Sequence, residues 1–97
     1  MTVGLPADTQ LIADCHERSV VRIRGRVIAI QVEPLDAPPK LTARLADKSG
    51  RIDAVFLGRR SIPGIEPGAV VDMEGRVCAT EDLPLLFNPS YVLVSPA

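Results

Sequence analysis

The chain has 97 residues, a formal net charge of −1 and 46% apolar residues, so it is long enough for one domain with a buried core and too short for two. No apolar run approaches the roughly 20 residues that cross a membrane, and residues 1–4 lack the basic stretch and apolar block of a secretory signal. These observations argue against a membrane protein and predict a cytoplasmic one.

The first 19 residues form a lead-in whose local structure the sequence leaves open. Within Leu5–Glu17, Asp8 or Thr9 is a suitable N-cap for one short helical turn, and an irregular segment is an equally good interpretation. We therefore assign residues 1–19 to a lead-in and residues 20–95 to the folded domain.

Five later segments have the composition of β-strands, being rich in β-branched residues and without a helical period. They are Val20–Ile30, Leu41–Leu45, Arg51–Leu57, Val70–Cys78 and Leu85–Val94, the last interrupted by a turn at Asn88-Pro89. Gly25 and Gly75 lie inside strands, where glycine marks a bend or a bulge. Because five short strands need closure to avoid open edges, the sequence predicts an all-β fold: a five-stranded Greek-key OB-fold barrel with a short N-terminal helix or turn.

A set of short motifs follows these strands in order. The motifs are Arg24–Val27, Leu45–Ile52, Ile65–Gly68, Glu74–Val77 and Asn88–Tyr91. Together they resemble the nucleic-acid-binding, anticodon-type superfamily of OB-folds. The chain is similar to the wedge OB domain of the branched-DNA helicase RecG, and more closely to small stand-alone bacterial OB-fold proteins that share Ile12–Cys15 and Phe56–Arg60. The resemblance covers about Ile12 to Val94 and implies a small OB-fold protein that binds nucleic acid.

The chain departs from that family in the loop before the fifth strand. DNA-binding relatives commonly carry a basic residue there, whereas Thr80–Pro84 contains Glu81 and Asp82. This difference argues against a DNA contact through the loop.

Positive charge is concentrated in the middle of the chain. The segment Arg18–Arg60 holds ten basic and four acidic residues, whereas both flanking segments are acidic. Within it, Arg22, Arg24 and Arg26 alternate along the first strand and so point to one side. Phosphates would offset the repulsion among these guanidinium groups through bidentate hydrogen bonds. The alternative is a solvated outer face, paired with Asp or Glu across a strand.

The outer surface of strands two and three is the usual binding face of an OB-fold, and further arginines map there. The residues predicted to contact nucleic acid are Arg22, Arg24, Arg26, Arg44, Arg51, Arg59, Arg60 and Tyr91. Aromatic platforms are few, because Phe56 and Phe87 are assigned to the core. Tyr91 is either a partly exposed stacking ring or a barrel-closing residue with a bonded hydroxyl.

Enzymatic chemistry has little support in the sequence. No nucleophile-elbow, phosphate-loop or zinc-protease motif occurs, and Cys15, Cys78 and His16 do not make a zinc site. We expect buried, inert thiols and no metal or cofactor. The predicted function is a nucleic-acid-binding module of low sequence specificity, for single-stranded or branched DNA, or for RNA. The alternative is a protein-interaction module that docks on a larger partner through an exposed strand or the turns of Ser61–Gly68.

Overall fold

Six β-strands and one short 3₁₀ turn are present in a computed structural model that describes residues 9–78, 80 and 82–97. The turn spans Ile12–Asp14, and the strands are β1 Val20–Val32, β2 Lys40–Ala46, β3 Arg51–Leu57, β4 Val70–Cys78, β5 Leu85–Phe87 and β6 Ser90–Ser95. Strands β5 and β6 are the predicted fifth strand in two pieces. The interruption falls at Asn88, whose φ of 47° is left-handed, and at Pro89, which has no N–H to donate to a ladder.

The strands form a closed barrel. Their order is β1-β2-β3-β5-β4, and antiparallel pairing of β1 with β4 completes the circle. Strand β5 runs parallel to β3, and β6 continues along the edge of β4 beyond β5. This connectivity confirms the predicted OB-fold barrel.

Strand β1 belongs to both halves of the barrel. Its residues up to Arg26 pair with β4, and those from Arg26 onward pair with β2. The change of partner occurs at Arg26, directly after Gly25, where a Cβ atom would lie 3.1 Å from the Cβ of Leu45. A bulge follows between Val27 and Ala29. Gly25 therefore permits a close approach of two strands, and the bulge predicted near it lies a few residues later.

The core fills the inside of the barrel with one face of each strand. The largest fully buried side chains are Ile23, Leu41, Leu45, Ile52, Met73 and Leu86. The segment between β3 and β4 closes one end, because Ile62, Ile65 and Ala69 are all buried. These apolar side chains are part of the core, so the docking role predicted for the turns of Ser61–Gly68 would depend on the exposed residues of this segment.

The N-terminal turn is tied to the barrel by its backbone. Gln10 N donates to Arg22 O at 2.7 Å, and Ile12 is 3% exposed in the core. Leu11 is the N-cap residue of the turn and gives no side-chain cap. The predicted cap by Thr9 is therefore wrong, and Asp8 lies outside the described residues. Instead, Ile12 N donates to Asp47 Oδ2 at 2.8 Å. The N-terminal 3₁₀ turn is therefore capped by a residue of the β2–β3 turn.

Candidate nucleic-acid interface

The outward-facing residues of β1 include the predicted arginines. Arg22, Arg24 and Arg26 alternate with inward positions, of which Val21 and Ile23 are buried. The prediction that they share one side of the strand is confirmed. Their surroundings differ, however, because β1 has β4 beside it in its first half and β2 in its second.

The first half of β1 lies beside acidic side chains of β4. Arg24 is directly opposite Asp72 and donates two hydrogen bonds to its carboxylate, from Nε at 2.7 Å and from Nη2 at 3.0 Å. Arg22 is opposite Glu74 and donates to it at 2.7 Å. The hydrogen bond with Asp72 raises the pKa of Arg24, against a smaller lowering by burial. For Arg22 and Arg24 these contacts fit the alternative interpretation, an outer face on which each arginine is paired with Asp or Glu across the strand.

A similar pair lies on the outer face of β2 and β3. Arg44 donates from Nε and Nη2 to the carboxylate of Asp53, at 2.9 and 3.2 Å. These hydrogen bonds, and the negative charge of Asp53, raise the pKa of Arg44. Arg44 therefore lies on the predicted face but is also neutralised within the protein.

The guanidinium group of Arg60 is directed at the backbone of the β1–β2 loop. Its Nη2 donates to the carbonyl oxygens of Ala37 at 2.8 Å and Leu35 at 3.2 Å, and its Nε is buried without a hydrogen-bond partner among the described residues. The side chain thus joins the β1–β2 loop to the segment after β3. Carbonyl oxygens of the β1–β2 loop thus take up Nη2 of Arg60, and a phosphate contact by this residue stays a prediction.

Other predicted arginines have no carboxylate partner in the described part of the chain. Arg26 is exposed and donates to Gly68 O at 3.0 Å, which leaves most of its five donors available. Arg51 and Arg59 are exposed. The register places Arg26 opposite Ala46 and Ala46 opposite Arg51. Arg26 and Arg51 therefore lie on one outer face about 10 Å apart, which is two strand spacings.

An exposed aromatic ring lies on the same outer surface. Phe87 is 49% exposed, whereas Leu86 before it is fully buried. Phe87 is paired with Val55 of β3, and Val55 in turn with Thr42 of β2. Its assignment to the core is wrong, because Leu86 takes the inward position of β5. The alternation of Phe87 with the buried Leu86 indicates its outward position, but the run of apolar residues Leu85–Phe87 obscured that alternation.

The remaining aromatic residues pack against each other. Phe56 is in the core, as predicted. The ring of Tyr91 meets it edge-on, with centroids 5.9 Å apart and planes at 85°, while 37% of Tyr91 stays exposed. Tyr91 thus packs against Phe56 on the side of β6 that carries the core contact, opposite Met73 of β4, and its ring stays partly exposed.

A shallow depression of about 310 Å³ lies between these features. It is lined by Ala29, Ile30, Gln31, Thr42, Arg44 and Asp53. We use the term binding face for the outer surface of β1 from Arg26, of β2 and β3, and of β5. The binding face thus combines a neutral depression, a pair of separated cations and one exposed aromatic ring.

Metal ligands, reactive thiols or membrane-spanning helices among the described residues would indicate other functions. Across residues 9–78, 80 and 82–97, no three His, Cys, Asp or Glu side chains are grouped to hold a metal ion. Cys15 and Cys78 are free and half-buried, not fully buried as predicted. Burial, and then the charges of Asp47 and Asp14, raise the pKa of the Cys15 thiol. Within the same ranges, no helix has the length and apolar character to cross a membrane.

Comparison with solved structures shows the fold. The chain is similar to the p204 HINb domain, with a TM-score of 0.71 and 17% identity over 89% of this chain, and it spans 47% of that chain. It is also similar to the OB domain of a Methanosarcina mazei protein, with a TM-score of 0.67 and 16% identity, over 92% of this chain and 85% of that one. No known protein family and no curated protein matches the sequence. At these identities the likeness establishes an OB-fold.

Proposed function

We propose that this chain is a binding module for single-stranded nucleic acid and has no catalytic role. The exposed ring of Phe87, on the same face as Arg26 and Arg51, is the observation that carries the proposal. The outer surface of strands two and three is where OB-folds bind oligonucleotides. Phe87 supplies a platform for base stacking there, and the arginines supply donors for phosphates.

The exposed ring of Phe87 favours the binding of unpaired bases over the binding of duplex. An aromatic side chain stacks on a base only when the face of that base is free, and stacking contributes about 1–3 kcal/mol per base. Single strands meet this condition, as do the unpaired regions of branched DNA, the form that the resemblance to the RecG wedge domain favours. Every base has a π-face, so we expect low sequence specificity and binding of DNA and RNA alike.

The binding face also limits the affinity. Because Asp53 neutralises Arg44, only a few phosphates gain a new positive partner. Each phosphate contact on a single strand contributes about −0.7 to the slope of log K against log salt. We therefore expect modest affinity with a shallow slope, in contrast to the steep slope that a full stripe of free arginines would produce.

Fluorescence anisotropy with labelled oligothymidine and oligouridine tests the proposal at about 50 and 200 mM salt. Phe87→Ala should weaken binding by roughly 5- to 150-fold, the equivalent of one stacked base. Leu35→Ala is the matched control, because Leu35 is 86% exposed in the β1–β2 loop. Both variants remove an exposed apolar side chain, and only the first should lose affinity.

A second pair of variants tests the arginines. Arg51→Gln should weaken binding and reduce the salt slope by about one phosphate contact. Arg22→Gln removes the same charge from the side of β1 that faces β4, and it should leave binding unchanged. Equal losses in the two variants would show that the binding face is wrongly placed. No binding of either oligonucleotide at low salt would overturn the proposed function.

A further inference from the structure

Strand β6 has a free edge. Over the described residues it pairs with β4 alone, and no strand lies against its other side. Such an edge presents unpaired N–H and C=O groups, which form a template for another strand. Natural edge strands usually carry a lysine, a proline or another device that prevents this pairing.

The side chains of β6 do not protect the edge. The strand reads Ser-Tyr-Val-Leu-Val-Ser and has no charged residue or proline. Tyr91, Val92, Leu93 and Val94 are all exposed, and Val92 is the most exposed at 66%. A register shift against β4 affects only the end of the strand, near Val94. Residues Ser90–Leu93 therefore form a regular, apolar edge.

The neighbouring surface is electrically neutral. Val92 lies beside Asp72, which is bonded to Arg24, and Ser90 lies beside Glu74, which is bonded to Arg22. Each charge next to β6 on this face is thus matched by an opposite charge one strand away. Two copies of this surface would therefore meet without like-charge repulsion. The net charge of −1 on the whole chain adds little repulsion between two copies.

We propose that β6 pairs with β6 of a second copy of this chain, antiparallel about a two-fold axis. A two-fold interface needs a self-complementary patch, and an uncharged apolar edge flanked by neutral ion pairs meets that need. The two barrels would then share a sheet that runs β1-β4-β6 and continues through the same strands of the partner in reverse order. This inference is independent of the proposed nucleic-acid function, since it uses a different surface.

The interface is small. A six-residue strand is about 20 Å long, so pairing at this edge buries less than the roughly 1,200 Å² of a stable complex. We therefore expect a weak dimer whose population depends on protein concentration.

Sedimentation equilibrium of the full chain, from about 20 μM to about 1 mM, tests this directly. The average mass of the wild type should rise from 10.4 kDa toward twice that value. Val92→Lys, which places like charges across the new ladder, should stay at the monomer mass throughout. Leu35→Lys introduces the same charge at another exposed apolar site, in a loop, and should follow the wild type.

Amide chemical shifts on dilution locate the contact. In the wild type, shifts that depend on concentration should be confined to Ser90–Ser95 and the adjacent residues of β4. Should circular dichroism show that Val92→Lys is unfolded, Val92→Thr replaces it and should weaken the dimer at least severalfold. A wild type that stays monomeric at every concentration overturns the proposal and leaves the edge to a strand from another protein. A folded Val92→Lys that dimerises like the wild type, or shifts located elsewhere, also overturns it.

Discussion

Asp47 joins the N-terminal turn to the β2–β3 turn, and its replacement by Asn tests how much this junction stabilises the barrel. Its Oδ2 accepts from Ile12 N at 2.8 Å, and its Oδ1 accepts from Ser49 N and Ser49 Oγ, both at 2.6 Å, and from Gly50 N at 3.0 Å. Burial raises the pKa of this carboxyl, but the hydrogen bonds from Ser49, Ile12 and Gly50 outweigh burial and hold the pKa below its ordinary value.

The expected loss follows from these contacts. Asn keeps one acceptor oxygen and turns an NH₂ group toward an N–H that has lost its partner. A hydrogen bond to a charged group contributes about 1.5–3 kcal/mol, and an unsatisfied buried donor costs about 1–3 kcal/mol. We therefore expect Asp47→Asn to lower the free energy of unfolding by about 1–3 kcal/mol. At roughly 4–8 °C per kcal/mol for a domain of this size, the melting temperature at pH 7 should fall by about 5–20 °C.

The pH dependence has a definite sign. A carboxyl whose folded pKa is depressed stabilises the protein fully above its unfolded pKa, about 3.9, and the contribution disappears as the pH falls through the lower folded value. The gap in melting temperature between the wild type and Asp47→Asn should therefore be constant from pH 7 to about pH 5 and shrink below that.

Calorimetry of both proteins from pH 7 to about pH 2 measures this gap. Asp36→Asn is the control, since Asp36 lies exposed in the β1–β2 loop, and it should melt like the wild type. Equal melting temperatures at pH 7, or a gap that does not shrink in acid, would refute the reasoning.

Three further predictions test single contacts. Arg60→Ala removes the donor to the carbonyls of Ala37 and Leu35 and should cost about 1–3 kcal/mol in urea denaturation; an unchanged midpoint would contradict this structural role. Gly64→Ala should lower the melting temperature more than Gly58→Ala. Both glycines have positive φ, but only at Gly64 would a Cβ meet a side chain, 3.1 Å from Leu93 Cδ2. Equal losses in the two variants would exclude that clash. The raised pKa of Cys15 predicts slower alkylation than that of a free thiol at pH 8, measured by mass spectrometry.

The strands were predictable because their signals are local. The bounds of β3 and β4 agree with the predicted segments, and β1 and β2 extend beyond them by one or two residues at an end. Period-two alternation and turns such as Asp47–Gly50 decide these elements without reference to the rest of the chain. The same locality explains why the predicted sharing of β1 between two sheets could be inferred from one interior glycine.

The environment of the arginines was not predictable, because it depends on register. Arg24 and Asp72 are 48 residues apart, and they meet only because β1 and β4 pair at one particular offset. A shift of one residue would move each side chain to the other face of its strand. Composition along the chain cannot contain this information.

Charge separation along the chain is therefore not charge separation in space. The acidic segment after residue 60 supplies Asp72 and Glu74, and β4 carries them back against the basic first half of β1. At Arg26 the strand β1 changes its neighbour from β4 to β2, and the residues opposite Arg26 are the uncharged Val70 of β4 and Ala46 of β2. Arg26 thus lies without a carboxylate partner among the described residues at the point where β1 changes partner, on the same face as Arg51. A nucleic-acid ligand would consequently use the binding face, where β1 lies beside β2. A second copy of the chain would use the edge of β6, next to β4, whose charges are neutralised by β1.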